Sequence, residues 1–452
     1  MVYTGKKVLV CGMVLSGTAA AWLLLENGAS VTLSDLKEEP EVDAALLEHE
    51  RVLTCFGRNP DDILDGHDLI VLSPGIPTDL PFITNARQMG ITIWSEVELA
   101  SRHCKAPMMA ITGTNGKTTT VSMAGQIMSA AFPGSVIAGN IGIAFSSQAP
   151  EIREDAWAVA EISSFQLETI DEFRPKISAV LNMTPDHLNR HKTMEGYIAA
   201  KARIFENQTK SDYCILNYDN KHSFDMAANN PANVLFFSKN ELEEGVFVRG
   251  DGVWIKWGEH DCEVMKLSDI PVPGDHNLEN VMAAVAMCAI AGAPMEVIAK
   301  GIKEFVAVEH RLEFVTEIGG VAYFNDSKAT NVDSAIKGIE GVNALGKPVV
   351  LIGGGFDKGG EFSEYVKAFE GKVKTFIAIG ETADSLIETC RAHNFPNYER
   401  ANTLKDAVQI AASRSESGDA VLLSPACAAW GMFDNYEQRG RIFKEFVNDL
   451  RS

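Results

Sequence analysis

Short, wholly apolar runs that end in glycine turns and lead into longer amphipathic stretches recur along the chain. This is the pattern of strands buried on both faces of a parallel sheet, with the helices that cover them. Val8–Val10 precedes Gly12 and a helix over Thr18–Asn27. Strands follow at Ser30–Leu33 and at Leu69–Leu72, the latter ending in Ser73-Pro74-Gly75. A second series begins with Met108–Thr112 and continues through Trp157–Glu161 and Ile177–Asn182. A third begins at Ala322–Asn325 and includes Val349–Ile352, Thr375–Ile379 and Ala420–Leu423. Each series has apolar strands enough for a core of its own, so three α/β domains are expected, over 1–97, 98–307 and 308–452. Between Ser211 and Pro273 the pattern turns β-rich, with Val246–Arg249 and Val253–Trp257 flanking the hairpin signal Gly250-Asp251-Gly252.

The length of 452 residues agrees with three domains at about 150 residues each. Charge narrows the partners: 40 Lys and Arg stand against 61 Asp and Glu, a net charge of −21. A general nucleic-acid surface needs clustered cations and is not expected. An anionic ligand must be held by local cations, metal ions or backbone N–H groups. The eight cysteines form no C-x-x-C pair, which argues against a disulfide framework or a cysteine zinc site. Val8–Leu25 is an uncharged run behind Lys6 and Lys7, but Gly12 and Gly17 divide it into strand, turn and helix rather than a membrane segment. A cytoplasmic protein with no membrane partner is the expectation.

In the first domain Gly12-x-x-x-x-Gly17 follows a strand and Asp35 ends the next one. A dinucleotide fingerprint would place glycine at Val14, so NAD or FAD binding is disfavoured. The turn can still present N–H groups at a helix start, with Leu15 and Ser16 at its mouth, and Asp35 can accept from a base or ribose. Ser73-Pro74-Gly75-Ile76 forms a second turn. These residues suit a nucleotide-diphosphate handle or tight turns alone.

The second domain holds stronger chemistry. Gly113-Thr114-Asn115-Gly116-Lys117-Thr118-Thr119 joins a strand to a helix that runs to about Ala131. The loop is shorter than G-x-x-x-x-G-K-[ST], yet the physics survives. Glycines free backbone N–H groups to cradle phosphates, Lys117 supplies a cation, and the Thr118 hydroxyl can bind Mg²⁺. Asn140, Glu161 and His187 follow neighbouring strands, at the edge where open α/β sheets bind ligands. Glu161 has the charge of a Mg²⁺ ligand. His187 and His191 could pair on zinc, but no third ligand matches them. Lys201 lies on a predicted helix over Tyr197–Glu206, where solvent exposure is the default. The fold class expected is thus α/β, with a Rossmann-like first domain, a central P-loop-type ATPase domain carrying a small β-rich part, and a Rossmann-like third domain.

Together with Glu161–Glu168, Asn182–His187, His276-Asn277, His310-Arg311 and Asn325–Asn331, this loop resembles the Mur ligase superfamily in motif order across all three domains. Leu423–Ala428 and Asn435–Gly440 are similar to the branch that adds D-glutamate. The resemblance implies an ATP-dependent amide ligase of peptidoglycan precursor synthesis, working through an acyl phosphate and a tetrahedral intermediate. Its substrates would be UDP-N-acetylmuramoyl-L-alanine and D-glutamate, with ATP and two Mg²⁺ ions, on a monomer. By similarity, Gly113–Thr119, Asn277, Asn280, His310, Arg311 and Asp326 would bind ATP. Thr118 and Glu161 would hold one Mg²⁺, and His187 and Lys201 the second; in the family the matching lysine is carbamylated. Leu15, Ser16, Asp35, Ser73, Gly75, Asn140, Ser163 and His187 would hold the nucleotide-sugar. Lys328, Thr330, Lys358 and Tyr436 would hold D-glutamate. Ala429 stands where some relatives place a serine toward that amino acid.

Two other readings use the same motifs. A folylpolyglutamate synthase would lack the first domain. A nucleotide-switched binding protein would have no use for Glu161, His187 and Lys201 together.

Overall fold

The computed structural model describes residues 2–140, 143–272, 274–306, 309–356 and 361–451, apart from the side chain of Asn189. The chain divides into two compact units, Met1–Leu267 with Glu279–Lys303, and Ser268–Leu278 with Glu304–Ser452. Among the described residues the strands form three sheets.

The first unit contains two of them. One comprises β1 (Lys7–Cys11), β2 (Ser30–Asp35), β3 (Val52–Phe56), β4 (Leu69–Leu72) and β5 (Thr92–Ser95), in the order β3-β2-β1-β4-β5 and parallel throughout. Valine and leucine fill β1 and β4 because both of their faces are covered. The helix Leu15–Glu26 starts directly at the glycine turn, three residues earlier than the periodicity suggests.

The second sheet comprises β6 (Met108–Thr112), β7 (Val136–Gly139), β8 (Ala158–Glu161), β9 (Ile177–Val180), β10 (Tyr213–Asn217), β11 (Asn233–Ser238), β12 (Gly245–Arg249), β13 (Gly252–Trp257) and β14 (His260–Lys266). Its order is β14-β13-β12-β11-β10-β9-β6-β8-β7. The β-rich stretch expected in the central domain is present and extends its sheet. Cys214, Ile215 and Leu216 are fully buried, and β10 pairs in parallel with β9 through Tyr213 and Ile177, so the central sheet simply continues. Its far edge turns antiparallel, with Arg249 opposite Gly252 across the two-residue Gly250-Asp251 turn.

The second unit carries β15 (Glu313–Ile318), β16 (Val321–Asn325), β17 (Val349–Gly354), β18 (Val373–Ile379), β19 (Tyr398–Arg400) and β20 (Ala420–Leu423), ordered β15-β16-β20-β17-β18-β19. Among the named strands of the described residues, only the β15–β16 pairing in this sheet is antiparallel. Two apolar layers, one around Phe369 and Phe376 and one around Phe443 and Val447, cover its two faces. The boundary expected at Ala307 and Val308 lies outside the described residues, as does Lys358. No helix among the described residues is long and apolar enough to cross a membrane.

Candidate active site

The loop after β6 has glycine where the backbone demands it. Gly116 caps the helix Lys117–Ala131 at φ +85°, and a Cβ there would fall 2.1 Å from Asn280 Oδ1. Asn280 also accepts from Thr120 Oγ1 at 3.4 Å. Asn182 clamps the loop from β9: its Oδ1 accepts from Asn115 N at 2.9 Å and its Nδ2 donates to Asn115 O at 3.0 Å. Thr114 N donates to Asn182 O at 2.9 Å. Lys117 Nζ donates to the carbonyls of Gly113 and Thr114, both at 2.8 Å, so the cation lies curled within its own loop.

At the head of the helix, Thr118 Oγ1 donates to Glu161 Oε2 at 2.8 Å, and Asn140 Nδ2 donates to Glu161 Oε1 at 3.0 Å. The structure thus joins three residues expected together, and it buries Glu161. A carboxylate and a hydroxyl beside a phosphate loop form the hard-oxygen pair that suits Mg²⁺.

Lys201 departs from the exposed default: it is 2% exposed. Its Nζ donates to Thr112 Oγ1 at 3.1 Å and to Gly113 O at 2.8 Å. Burial, then the nearby Lys117, holds its ammonium well below the usual lysine range, against the pull of Asp186 and Glu161. The ammonium has no lone pair for a metal; the neutral amine that burial favours has one, and it can also take up a carboxylate-like group that would offer hard oxygen.

His187 sits at φ +54° ahead of the helix Leu188–His191, its ring against the edge of Phe165 with centroids 4.8 Å apart. His191 Nε2 lies 2.9 Å from Ser164 Oγ, and its ring is stacked on Phe165. Tyr197 was not singled out beforehand. It is buried, with its Oη 3.3 Å from Thr114 Oγ1, and its ring lies against those of His187 and His191. Asn182 and Asp186 stand in the motif that follows β9, where position after a strand is the signal, whereas Tyr197 lies inside the helix Met194–Ala202, where no such signal exists.

The turns of the first sheet lock together. Ser73 Oγ donates to Gly12 O at 2.7 Å, and a Cβ on Gly12 would fall 2.9 Å from Ser73 Cβ. Asp35 accepts from Met13 N at 2.7 Å and from Lys37 N at 3.0 Å, so its carboxylate shapes the turn. Val14, Leu15, Leu36 and Gly75 stay exposed at the mouth, and Ser16 is half-buried beside them. Half-buried Ser163 caps its short helix through a capping box with Gln166.

Asn277, His310, Arg311, Asp326, Lys328, Thr330 and Tyr436 belong to the second unit. His310 is buried at φ +66°, and Asn325 Nδ2 donates to its Nδ1 at 2.9 Å, leaving Nε2 as the protonated nitrogen. Glu309 and Glu313 flank it, and Lys444 pairs with both. Asp326 accepts from Ser424 Oγ at 2.8 Å and from Leu312 N at 3.2 Å. Burial nonetheless lifts its carboxyl to about 6, against the opposing field of Arg311. Arg311 Nη1 donates to Ser334 Oγ at 3.3 Å, while its buried Nε has no partner among the described residues.

Lys328 lies over the Tyr436 ring with Nζ 5.1 Å from the centroid. Buried Arg439 binds this corner together, donating to Ser327 Oγ, Ser327 O, Cys427 O and Ala428 O at 2.8–3.3 Å. Thr330 N donates to Lys328 O at 2.9 Å, and Ala429 is buried.

Three family models match in succession: the Mur ligase MurD-like N-terminal domain over residues 6–95, the Mur ligase middle domain over 111–288, and the Mur ligase glutamate ligase domain over 310–427. The chain is 47% identical to the UDP-N-acetylmuramoylalanine–D-glutamate ligase of Lachnospira eligens, covering 98% of this chain and 99% of that one. The enzyme of the same name from Alkaliphilus metalliredigens is 46% identical, over 99% and 98%. Among solved structures, the UDP-N-acetylmuramate-alanine ligase of Thermotoga maritima matches with a TM-score of 0.63 at 19% identity, covering 98% and 99%. The MurF ligase of Thermotoga maritima, in complex with ADP, matches at 0.62 and 14%, covering 99% and 96%. With near-complete coverage at almost half identity, the chain belongs to the Mur ligase family, among the UDP-N-acetylmuramoylalanine–D-glutamate ligases.

Proposed function

We propose that this chain activates the alanyl carboxylate of UDP-N-acetylmuramoyl-L-alanine with ATP and joins it to the amine of D-glutamate, a step of peptidoglycan precursor synthesis. A carboxylate oxygen attacks the γ-phosphorus, the bond to the β–γ bridging oxygen breaks, and ADP leaves. The deprotonated amine then attacks the acyl carbon, and the tetrahedral intermediate collapses by breaking the C–O bond to phosphate.

The observation that carries this reading is the joining of Thr118, Glu161 and Asn140 at the head of the phosphate loop, with Lys201 buried against Gly113. Mg²⁺ bound there would draw charge off the transferring phosphoryl group. Thr118 and Glu161 would hold one ion; His187 and carbamylated Lys201 would hold a second. The depressed basicity of Lys201 favours its neutral amine, the form that adds CO₂ and loses a proton to become a carbamate.

Gly113–Thr119 and Asn280 would cradle the triphosphate; Asn277, His310, Arg311 and Asp326 would also be ATP-binding residues. Leu15, Ser16, Asp35, Ser73 and Gly75 would hold the uridine diphosphate, and Asn140, Ser163 and His187 the sugar-linked end. Lys328, Thr330, Lys358 and Tyr436 would meet D-glutamate. Domains over 1–97, 98–307 and 308–452 would divide these tasks. The protein would act in the cytoplasm as a monomer, without nucleic-acid or membrane partners.

The test is phosphate release from ATP with the nucleotide-sugar and a panel of amino acids. Dependence on both UDP-N-acetylmuramoyl-L-alanine and D-glutamate is expected. Equal rates with L-glutamate, or with a folate acceptor, would overturn the assignment.

A further inference from the structure

One partly buried ion pair in the first unit has no part in the chemistry above. Arg190 lies three residues after His187, and its side chain and that of Glu168 are 14% and 13% exposed. Its guanidinium grips Glu168 as a fork, Nε to Oε1 at 3.0 Å and Nη2 to Oε2 at 2.7 Å. The same group donates to two carbonyls of a single turn on the first sheet, Pro74 O at 3.0 Å and Ile76 O at 2.9 Å. Thr78, just beyond that turn, donates to Glu168 Oε2 at 2.9 Å. Phe165 backs the guanidinium at 4.2 Å from its ring centroid. Arg203, two residues after Lys201, donates to Leu167 O at 2.8 Å and to Glu168 O at 2.7 Å.

We infer that Arg190 and Glu168 form a clasp that sets the distance between the Ser73–Ile76 turn and the acyl-activating site. This makes Arg190 a positioning residue for a substrate long enough to span both. Three facts support this. A partly buried ion pair adds little net stability, so the gain is in geometry. The planar fork fixes four acceptors at once, which a flexible ammonium cannot do. And the clasped turn is itself bonded to the first glycine turn through Ser73, so its position carries that of the whole handle. The inference rests on the nucleotide-sugar reading: UDP alone would touch only the handle, whereas UDP-N-acetylmuramoyl-L-alanine must reach both ends.

The experiment compares Arg190→Lys and Glu168→Gln with the unaltered full-length chain. Calorimetric affinity for UDP is set beside KM for the nucleotide-sugar, for ATP and for D-glutamate. Expected for Arg190→Lys is a rise of roughly tenfold or more in KM for the nucleotide-sugar, with UDP affinity and the other two KM values held within about twofold. Glu168→Gln should shift the same constant in the same direction. Unchanged KM in both variants overturns the clasp. UDP affinity falling in step with that KM also overturns it, since Arg190 would then be a direct ligand of the nucleotide. If either variant fails to fold, Thr78→Val, which loosens the turn from its other side, gives the same comparison. If the unaltered chain shows no turnover of the nucleotide-sugar, the functional reading fails, and this proposal fails with it.

Discussion

Replacing Asp326 by Asn should stabilise the second unit while weakening its nucleotide chemistry. Asp326 is buried, and its carboxyl is lifted from an ordinary 3.8 to about 6. Between those values the folded state keeps a proton that the unfolded chain has released, so the stability of the unaltered protein falls as pH rises through this window. Above it the folded state carries the full cost of ionisation, about 3 kcal/mol at 1.36 kcal/mol per pKa unit. Asparagine mimics the protonated acid: it can still accept from Leu312 N, and Ser424 Oγ can accept from its amide. The attraction of Arg311 is already contained in the shifted value. The variant should therefore match the unaltered chain below about pH 4 and gain up to about 3 kcal/mol above pH 6. Hydrogen exchange of peptides covering β16 and β20 reads this directly, with exchange about a hundredfold slower in the variant near pH 7.5. KM for ATP should rise at the same time. A gain independent of pH, or a loss of stability at neutral pH, would refute the electrostatic reasoning.

Other changes test the site in the first unit. Lys117→Ala removes the cation of the phosphate loop and should abolish ATP-dependent turnover in a phosphate-release assay. Gly116→Ala places a side chain at φ +85° and 2.1 Å from Asn280 Oδ1. It should cost at least about 1–2 kcal/mol of backbone strain and raise KM for ATP, measured by denaturation and steady-state kinetics. Lys201→Ala should lose turnover and regain part of it with added short carboxylates; full activity without them would contradict a metal role.

The parallel strands with both faces covered were legible because nothing but apolar residues can fill them; β4, β6 and β20 fall on the expected residues. β3 and β5 escaped notice because they are the edges of their sheet, half-exposed and mixed in composition. The β-rich character of the stretch after Ser211 was legible from local hairpin signals, whereas its pairing to β9 is a long-range contact that no local signal carries. The phosphate loop and Glu161 could be placed from strand ends alone. Lys201 could not, since the spacing of a helix does not say which face meets a carbonyl such as that of Gly113. Asp35, Ser73 and Ser163 were expected to face ligand, yet each satisfies a neighbouring backbone group as a turn or cap, a use their residue types permit equally well.

The central claim is that a carboxylate is activated by direct phosphorylation beside Glu161 and Lys117. It is tested most directly by following oxygen. UDP-N-acetylmuramoyl-L-alanine labelled with ¹⁸O in its alanyl carboxylate is turned over with ATP and D-glutamate, and the released phosphate is analysed by mass spectrometry. The account predicts one ¹⁸O atom in each phosphate, carried there when the acyl C–O bond breaks. Phosphate free of label, with amide product still formed, would contradict it.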